Sequence, residues 1–159
     1  MGREKMEVLI DNRQKKYKIS LKQIQQKAKA ILNALDCPDT ELSILIVDDP
    51  QIAVFNEQYL NRNGPTNVIA FPMRTGPYAN ITPQLLGDVL ISVETAFREG
   101  KQMGISMEER FTQLLVHGIL HLLGYDHETS DQDAHEMEKK SKEILKLLSA
   151  QMCLWMGAN

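Results

Sequence analysis

Three of the four histidines in this chain fall within eleven residues, at His117, His121 and His127. A spacing of four residues places His117 and His121 one turn apart on the same face of a helix. Imidazole nitrogens at that separation can bind one zinc ion at its usual distance of about 2.0–2.1 Å. Gly124 allows the chain to reverse after the helix, so that His127 can supply a third ligand. Three histidines and a water molecule would form an open catalytic zinc site rather than a closed structural one.

Other interpretations of the histidines stay open at this point. A histidine pair at this spacing also occurs as a structural feature of a buried helix, without any metal. His135 lies in the polar beginning of the last predicted helix and is expected to be solvated. It is the reserve ligand if His127 points away. Asp126 is a candidate for orienting a ligand through a hydrogen bond.

The residue after the first histidine separates two kinds of zinc chemistry. In HExxH metalloproteases a glutamate at this position acts as the general base. Here the position holds Gly118, so the protease base is absent. Zinc can still lower the pKa of a bound water to about 7 and can polarise a phosphoryl oxygen. The pattern therefore indicates a zinc hydrolase, while Gly118 has the alternative role of letting another element approach the helix closely.

The histidines require a helix that is buried on most of its surface. Ser106 and Glu109 form a capping box that opens a helix from Met107 to about Leu123. Apolar residues occupy nearly its whole circumference, which is typical of a buried helix and leaves the two histidines a narrow strip. The last helix begins after Ser130. The remaining predictions are strands at 6–11, 41–48, 67–71 and 87–92, helices at 21–34 and 93–102, a short helix capped by Asp49 before Pro50, and a surface loop at 73–84.

This order of elements predicts an α+β fold with a small mixed sheet of about four strands packed with helices. The third and fourth strands are expected to pair directly. The length of 159 residues predicts one domain over residues 1–159. The apolar fraction of 43% and charged fraction of 25% exclude a disordered chain. Since no apolar stretch is long enough for a membrane span, a soluble cytoplasmic protein is expected.

Charge is distributed unevenly along the chain. The net charge of −3 argues against bulk attraction to nucleic acid. Residues 1–29 nevertheless carry nine basic and three acidic side chains, a net charge of +6, and the remainder carries −9. The basic segment is either a local contact for phosphates or the solvated face of a helix.

Sequence motifs around the histidines resemble those of a known family. The segment HGILHLLGYDH at 117–127 is similar to the HGxLHLxGYDH signature of the YbeY family of bacterial endoribonucleases. The segments PTNVIAFP at 65–72 and LGDVLIS at 86–92 resemble two strands of that family. Together with the long C-terminal helix, the resemblance extends over about residues 41–150.

The resemblance implies a zincin-like (metalloprotease-like) fold with one Zn²⁺ held by His117, His121 and His127. It implies a metal-dependent endoribonuclease for single-stranded RNA, active in maturing the 3′ end of small-subunit ribosomal RNA and in ribosome quality control. The implied partners are ribosomal RNA and the small ribosomal subunit in the bacterial cytoplasm. No membrane and no DNA partner are expected.

The family also has a functional arginine upstream of the PTNV strand, and here the sequence departs from it. Counting back from Thr66, the position of that arginine falls on Leu60. Arg62 is the only arginine in this loop and is the candidate catalytic residue, because a guanidinium can bind a phosphate through two hydrogen bonds. The alternative is a solvated loop arginine. Ala70 replaces the usual serine of the family's strand.

Two other functions remain open on the sequence alone. A metallopeptidase would use the same ligand arrangement, although Gly118 counts against it. A non-catalytic ribosome-assembly factor with a structural metal would agree with the acidic net charge and with the missing arginine.

Overall fold

Four strands and five helices follow one another in the computed structural model, which describes residues 6–73, 85–125 and 130–157. The predicted α+β class is confirmed. No helix within these ranges is both long enough and apolar enough to span a membrane. The elements in chain order are β1 (Glu7–Asn12), α1 (Leu21–Ala34), β2 (Glu41–Val47), α2 (Asp49–Leu60), β3 (Val68–Pro72), β4 (Leu85–Ser92), α3 (Val93–Met103), α4 (Met107–Leu122) and α5 (Asp131–Gly157).

The strands form one mixed sheet in the order β1-β2-β4-β3. β1 pairs with β2 and β2 with β4 in parallel, whereas β3 pairs with β4 in the antiparallel direction. The prediction that the third and fourth strands pair directly is therefore confirmed. Their register places Ala70 opposite Val89 and Phe71 opposite Asp88. Most of the predicted loop at 73–84 lies outside the described residues.

The two faces of the sheet are covered to different extents. Helices α1, α4 and α5 pack on one face, here called the major face, where Ile44 and Val89 belong to the large core. On the opposite, minor face, Ile69 and Leu90 form a small cluster with Ile52 of α2. Because side chains alternate along a strand, neighbouring residues of β4 serve the two cores in turn. The histidine-bearing helix belongs to the major face.

Serine side chains cap three of the predicted helices, α1, α4 and α5. The Ser20 hydroxyl accepts a hydrogen bond from the backbone N–H of Gln23 at the start of α1. Ser106 accepts one in the same way at the start of α4, and Ser130 does so at the start of α5. The observed bounds of α1 equal the predicted ones, and α4 ends one residue before the predicted end. These local caps fix where the helices begin.

The predicted N-cap of α2 at Asp49 is wrong. Asp48 is the N-cap and forms a capping box with Gln51, so Asp49 is the first helical residue. The Asp49 carboxylate instead accepts hydrogen bonds from Ser92 and Thr95, both at 2.6 Å, and from Arg98 at 2.7 Å. These bonds connect α2 to α3.

From residue 6 onward, where the structure describes the chain, most of the basic residues on and before α1 are exposed, as expected of a solvated helix face. Lys27 is the exception, since it is buried and its Nζ donates to Thr112 Oγ1 at 3.0 Å. Burial lowers the pKa of Lys27, and the nearby negative charge of Glu108 acts in the opposite direction.

Candidate metal centre

Helix α4 holds the two histidines at the boundary between the core and the surface. Nine of its sixteen residues are buried, and they cover most of its circumference. His117 and His121 occupy the remaining strip and are half-buried. The sequence analysis predicted this arrangement from the apolar pattern of the helix. A strip of this kind lets a side chain reach a cleft while its backbone stays fixed by the core.

The two imidazole rings lie next to each other, one helical turn apart. Their centroids are 4.8 Å apart and their planes are inclined at 68°. Two imidazoles bound to one tetrahedral zinc ion have centroids about 5 Å apart, given zinc–nitrogen bonds of about 2.0–2.1 Å. The pair therefore fits two positions of a zinc site. Within the ranges that the structure describes, no three His, Cys, Asp or Glu side chains form a group that could hold a metal.

The end of α4 reverses the chain directly after the second histidine. Gly124 adopts a left-handed conformation with φ of 100°, as its position in the sequence predicted. Its N–H donates to the carbonyl of His121, and the N–H of Tyr125 donates to the carbonyl of Leu120, both at 3.0 Å. This pattern is a Schellman motif. The predicted third ligand His127 and its neighbour Asp126 lie outside the described residues, so their roles stay predictions.

Gly118 allows the sheet to approach the histidine helix closely. A Cβ atom at this position would lie 2.7 Å from Val89 Cγ1 and 3.3 Å from Val68 Cγ2. The first distance is shorter than side-chain contacts normally allow, so only glycine fits without a shift. The alternative role that the sequence gave to Gly118 is therefore confirmed. The contact fixes α4 against β3 and β4 at the residue that follows His117.

A cavity of about 660 Å³ adjoins the first histidine. The beginning of β3 forms one wall through Asn67 and Val68, α4 forms another, and α5 faces them. His117 lines the cavity and so connects it to the histidine pair. Its size lies within the range of ligand-binding pockets, which is about 300–1,000 Å³.

A hydrogen-bonded network that the sequence analysis missed lines this cavity. Glu99 of α3 accepts from Asn67 Nδ2 at 3.3 Å and from Arg110 Nε at 2.9 Å. Arg110 also donates from Nη1 to Gln113 Oε1 at 2.8 Å. Arg110 and Gln113 precede His117 by seven and four residues, so they share its helix face. That spacing is the signal in the sequence that could have identified them.

The candidate arginine lies on a different element from the histidines. Arg62 is exposed on the loop between α2 and β3, and its backbone N–H donates to the carbonyl of Asn56 at 3.2 Å. Leu60, at the position of the family's arginine, is the last residue of α2 and is 42% exposed. The loop leads into Asn67, which lines the cavity beside His117. His135 is exposed near the start of α5, as expected.

Comparison with known proteins identifies the family. A family model described as Endoribonuclease YbeY matches residues 9–149. A protein named Endoribonuclease YbeY from Syntrophotalea carbinolica is 48% identical over 136 residues, which cover 85% of this chain and 91% of the relative. The protein of the same name from Geobacter sulfurreducens is 46% identical over 144 residues, which cover 90% of this chain and 96% of the relative.

A solved structure is similar in fold. The solution structure of TM1509 from Thermotoga maritima matches with a TM-score of 0.65 and 20% sequence identity, covering 98% of this chain and 96% of that chain. At this identity the likeness concerns the fold alone. The family match and the curated relatives carry the assignment, and the chain belongs to the endoribonuclease YbeY family.

Proposed function

We propose that this member of the endoribonuclease YbeY family is a zinc-dependent endonuclease that hydrolyses single-stranded RNA. One observation carries the proposal, namely two imidazoles 4.8 Å apart on a buried helix. The cavity beside His117 offers room for part of a substrate strand. The names of the relatives support cleavage of RNA, and the histidine pair supports the metal.

Each residue of the proposed site has a definite task. His117, His121 and His127 would hold the ion through their ring nitrogens. Zinc, when bound, supplies Lewis acidity toward a phosphoryl oxygen and makes water more acidic. Arg62 would bind a phosphate of the strand and stabilise the negative charge that develops on it. The buried face of α4 keeps the histidines oriented, since a catalytic ligand must hold its position within a fraction of an ångström.

The surroundings of Gly118 argue against a metallopeptidase. The HExxH mechanism needs a carboxylate directly after the first histidine. At this position a first side-chain carbon would already collide with Val89. A glutamate there would displace the helix from the sheet, so the peptidase base has neither the residue nor the space.

We further propose that the substrate is ribosomal RNA, at the 3′ end of the small-subunit molecule, and that the protein acts on the small ribosomal subunit in the cytoplasm. A role in ribosome quality control belongs to the same proposal. The support is the resemblance of HGILHLLGYDH at 117–127 to the family signature. Zinc-loaded protein is expected to cleave a single-stranded RNA that contains this 3′ end, and to cleave it faster than the same sequence held in a duplex.

The substitution His121→Ala tests the metal and the reaction together. We expect the zinc content to fall well below one ion per chain and cleavage of single-stranded RNA to fall at least about 100-fold, because a two-ligand site binds zinc weakly. Elemental analysis and gel assays measure the two effects. Gln26→Ala, on the exposed side of α1, is the control and should change neither.

Two outcomes would contradict the proposal. Undiminished cleavage by the His121→Ala variant, in a preparation free of contaminating nuclease, would show that the histidines are not needed. Zinc bound in full by the unaltered protein without any cleavage of RNA would favour a non-catalytic assembly factor.

A further inference from the structure

We infer that the cavity beside His117 is a nucleobase subsite that prefers keto bases, uracil and guanine, over the amino bases cytosine and adenine. The inference rests on the proposed function, because it assigns the base next to the phosphate held at the histidines. It adds a sequence preference that the histidine site by itself does not supply.

The shape and lining of the cavity suit a flat heterocycle. Its volume of about 660 Å³ exceeds what a metal ion and its water molecules need. Apolar side chains from four elements form much of the lining, and such walls favour the faces of a base. Polar groups of α4 lie among them and can reach the edge of the base. The apolar residues are Val68, Met103, Leu114, Ala134, Met137 and Leu145.

The orientation of Gln113 follows from its partner. Arg110 has only donors, so the Gln113 atom 2.8 Å from its Nη1 must be the carbonyl oxygen Oε1. The other end of the amide is then the –NH₂ group, which can only donate. Within the described part of the chain this group donates to no acceptor. Gln113 therefore offers the cavity a donor whose identity is fixed by the network.

The network also removes the nearest competing acceptor. The Glu99 carboxylate already accepts from Asn67 Nδ2 and from Arg110 Nε, and Arg110 Nη2 forms an ion pair with it at 2.9 Å. On the opposite wall, Glu138 pairs with Lys142 at 3.2 Å. The α4 wall thus presents donors to a ligand, and a base edge that carries acceptors fits it. Uracil O4 and guanine O6 are acceptors, whereas cytosine N4 and adenine N6 would place a donor against a donor.

The position of the cavity relates this preference to the cleavage site. Gln113 lies four residues before His117 on α4, a separation of about 6 Å along the helix axis. A ribose separates the phosphate and the base of one nucleotide by a similar length. A phosphate at the histidine pair therefore brings its own base to the wall that contains Gln113.

Binding of two tetranucleotides tests the inference. Uridine and cytidine tetramers differ in the edge of the base that would face Gln113, and gel analysis after each measurement checks that the RNA is still intact. We expect full-length zinc-loaded protein to bind the uridine tetramer about tenfold more tightly, as fluorescence anisotropy would measure. Gln113→Glu replaces the donor with an acceptor and should abolish or reverse the preference. Gln26→Glu makes the same chemical change on the exposed side of α1 and should keep it.

The outcomes separate this inference from the proposed function. Equal affinity for both tetramers, or an unchanged preference in the Gln113→Glu variant, would overturn the subsite whether or not RNA is cleaved. A preserved preference without any cleavage would retain the subsite and overturn the nuclease. Should Gln113→Glu fail to fold, Ser141→Tyr narrows the cavity from α5 and should weaken both tetramers about equally. Undiminished binding by that variant would also overturn the inference.

Discussion

The two faces of the sheet hold their helices by different means. On the major face, α4 is buried along most of its length among the side chains of β3, β4 and three other helices. On the minor face, α2 contributes little to a small core, with Ile52 as its buried apolar residue. Its first turn is instead fixed by polar bonds, since Asp49 receives hydrogen bonds from the start of α3. One helix is positioned by packing and the other by a polar anchor at one end.

The way each helix is held determines how firmly it can position a side chain for a reaction. The histidines lie on the helix that is buried along most of its length, so their positions depend on the core of the major face. Arg62 follows the C-terminal end of α2, far from the polar anchor at its beginning. Since precise geometry needs a rigid support, we expect the histidines to contribute more to the reaction than the arginine.

The largest effect is expected from truncating a buried isoleucine on each face. Ile119 and Ile52 are both fully buried. Ile119→Ala should cost about 4 kcal/mol of unfolding free energy, because the dense core of the major face cannot collapse around the cavity. Ile52→Ala should cost about 2 kcal/mol, since the partly exposed Phe55 can move inward. Urea unfolding measures both values, and equal costs would contradict the contrast between the faces.

A smaller effect is expected when the contact between α4 and the sheet is overfilled. Gly118→Val should lower the unfolding free energy by about 2–3 kcal/mol, because the added atoms collide with Val89. Thermal or urea unfolding tests this. Ala150→Val on the exposed side of α5 is the control and should cost only about 0.5 kcal/mol through helix propensity. Equal costs for the two variants would mean that the close approach is not a constraint.

The candidate arginine should matter less than a histidine ligand. Arg62→Ala is expected to lower kcat/KM for single-stranded RNA about tenfold, which corresponds to about 1.4 kcal/mol of transition-state binding. Arg62→Lys should recover part of this loss, because the charge remains while the paired donors are lost. An unchanged rate in the Arg62→Ala variant would identify Arg62 as a solvated loop residue.

The smallest effect concerns the anchor of α2 and depends on pH. Burial by itself raises the pKa of Asp49, but hydrogen bonds from Ser92, Thr95 and Arg98, with the charge of Arg98, lower it below its ordinary value. A lowered folded pKa means that ionised Asp49 stabilises the protein above the unfolded pKa of about 3.9. This contribution is lost as the pH falls through the folded pKa.

Asp49→Asn should therefore cost about 1 kcal/mol at pH 7 and progressively less below about pH 4. Unfolding curves of both proteins between pH 7 and pH 3 test this. Asp11→Asn removes an exposed ion pair with Arg13 and serves as the control, with an expected cost below about 0.5 kcal/mol. The difference in unfolding free energy between the Asp49→Asn variant and the unaltered protein should shrink as the pH falls. A difference that stays constant from pH 7 to pH 3 would contradict the lowered pKa of Asp49.

The elements that the sequence predicted well are those specified by local chemistry. Helix α1 needs only the Ser20 cap and an apolar stripe, and both lie within its own segment. The left-handed Gly124 and the shared face of His117 and His121 likewise depend on neighbours in the chain. For this reason the sequence was enough to predict the fold class and the pairing of His117 and His121, two of the three proposed zinc ligands.

The features that escaped prediction depend on residues distant in the chain. Asp48 and Asp49 both precede Pro50, and the choice of cap depends on Ser92, more than forty positions later. The network of the cavity joins Asn67 and Glu99 to α4, so it forms only when β3, α3 and α4 pack together. No local pattern specifies such a meeting of three elements.

The contact at Gly118 has a consequence for how relatives of this chain can diverge. A methyl group there would occupy space that Val89 now fills, 2.7 Å from its nearest methyl carbon. Two substitutions that are each harmful alone become compatible when made together, with alanine at position 118 and a smaller residue at position 89. Relatives that diverge from this chain are therefore expected to change positions 118 and 89 together. The residue on strand β4 thereby limits which residues position 118 of the helix can accept.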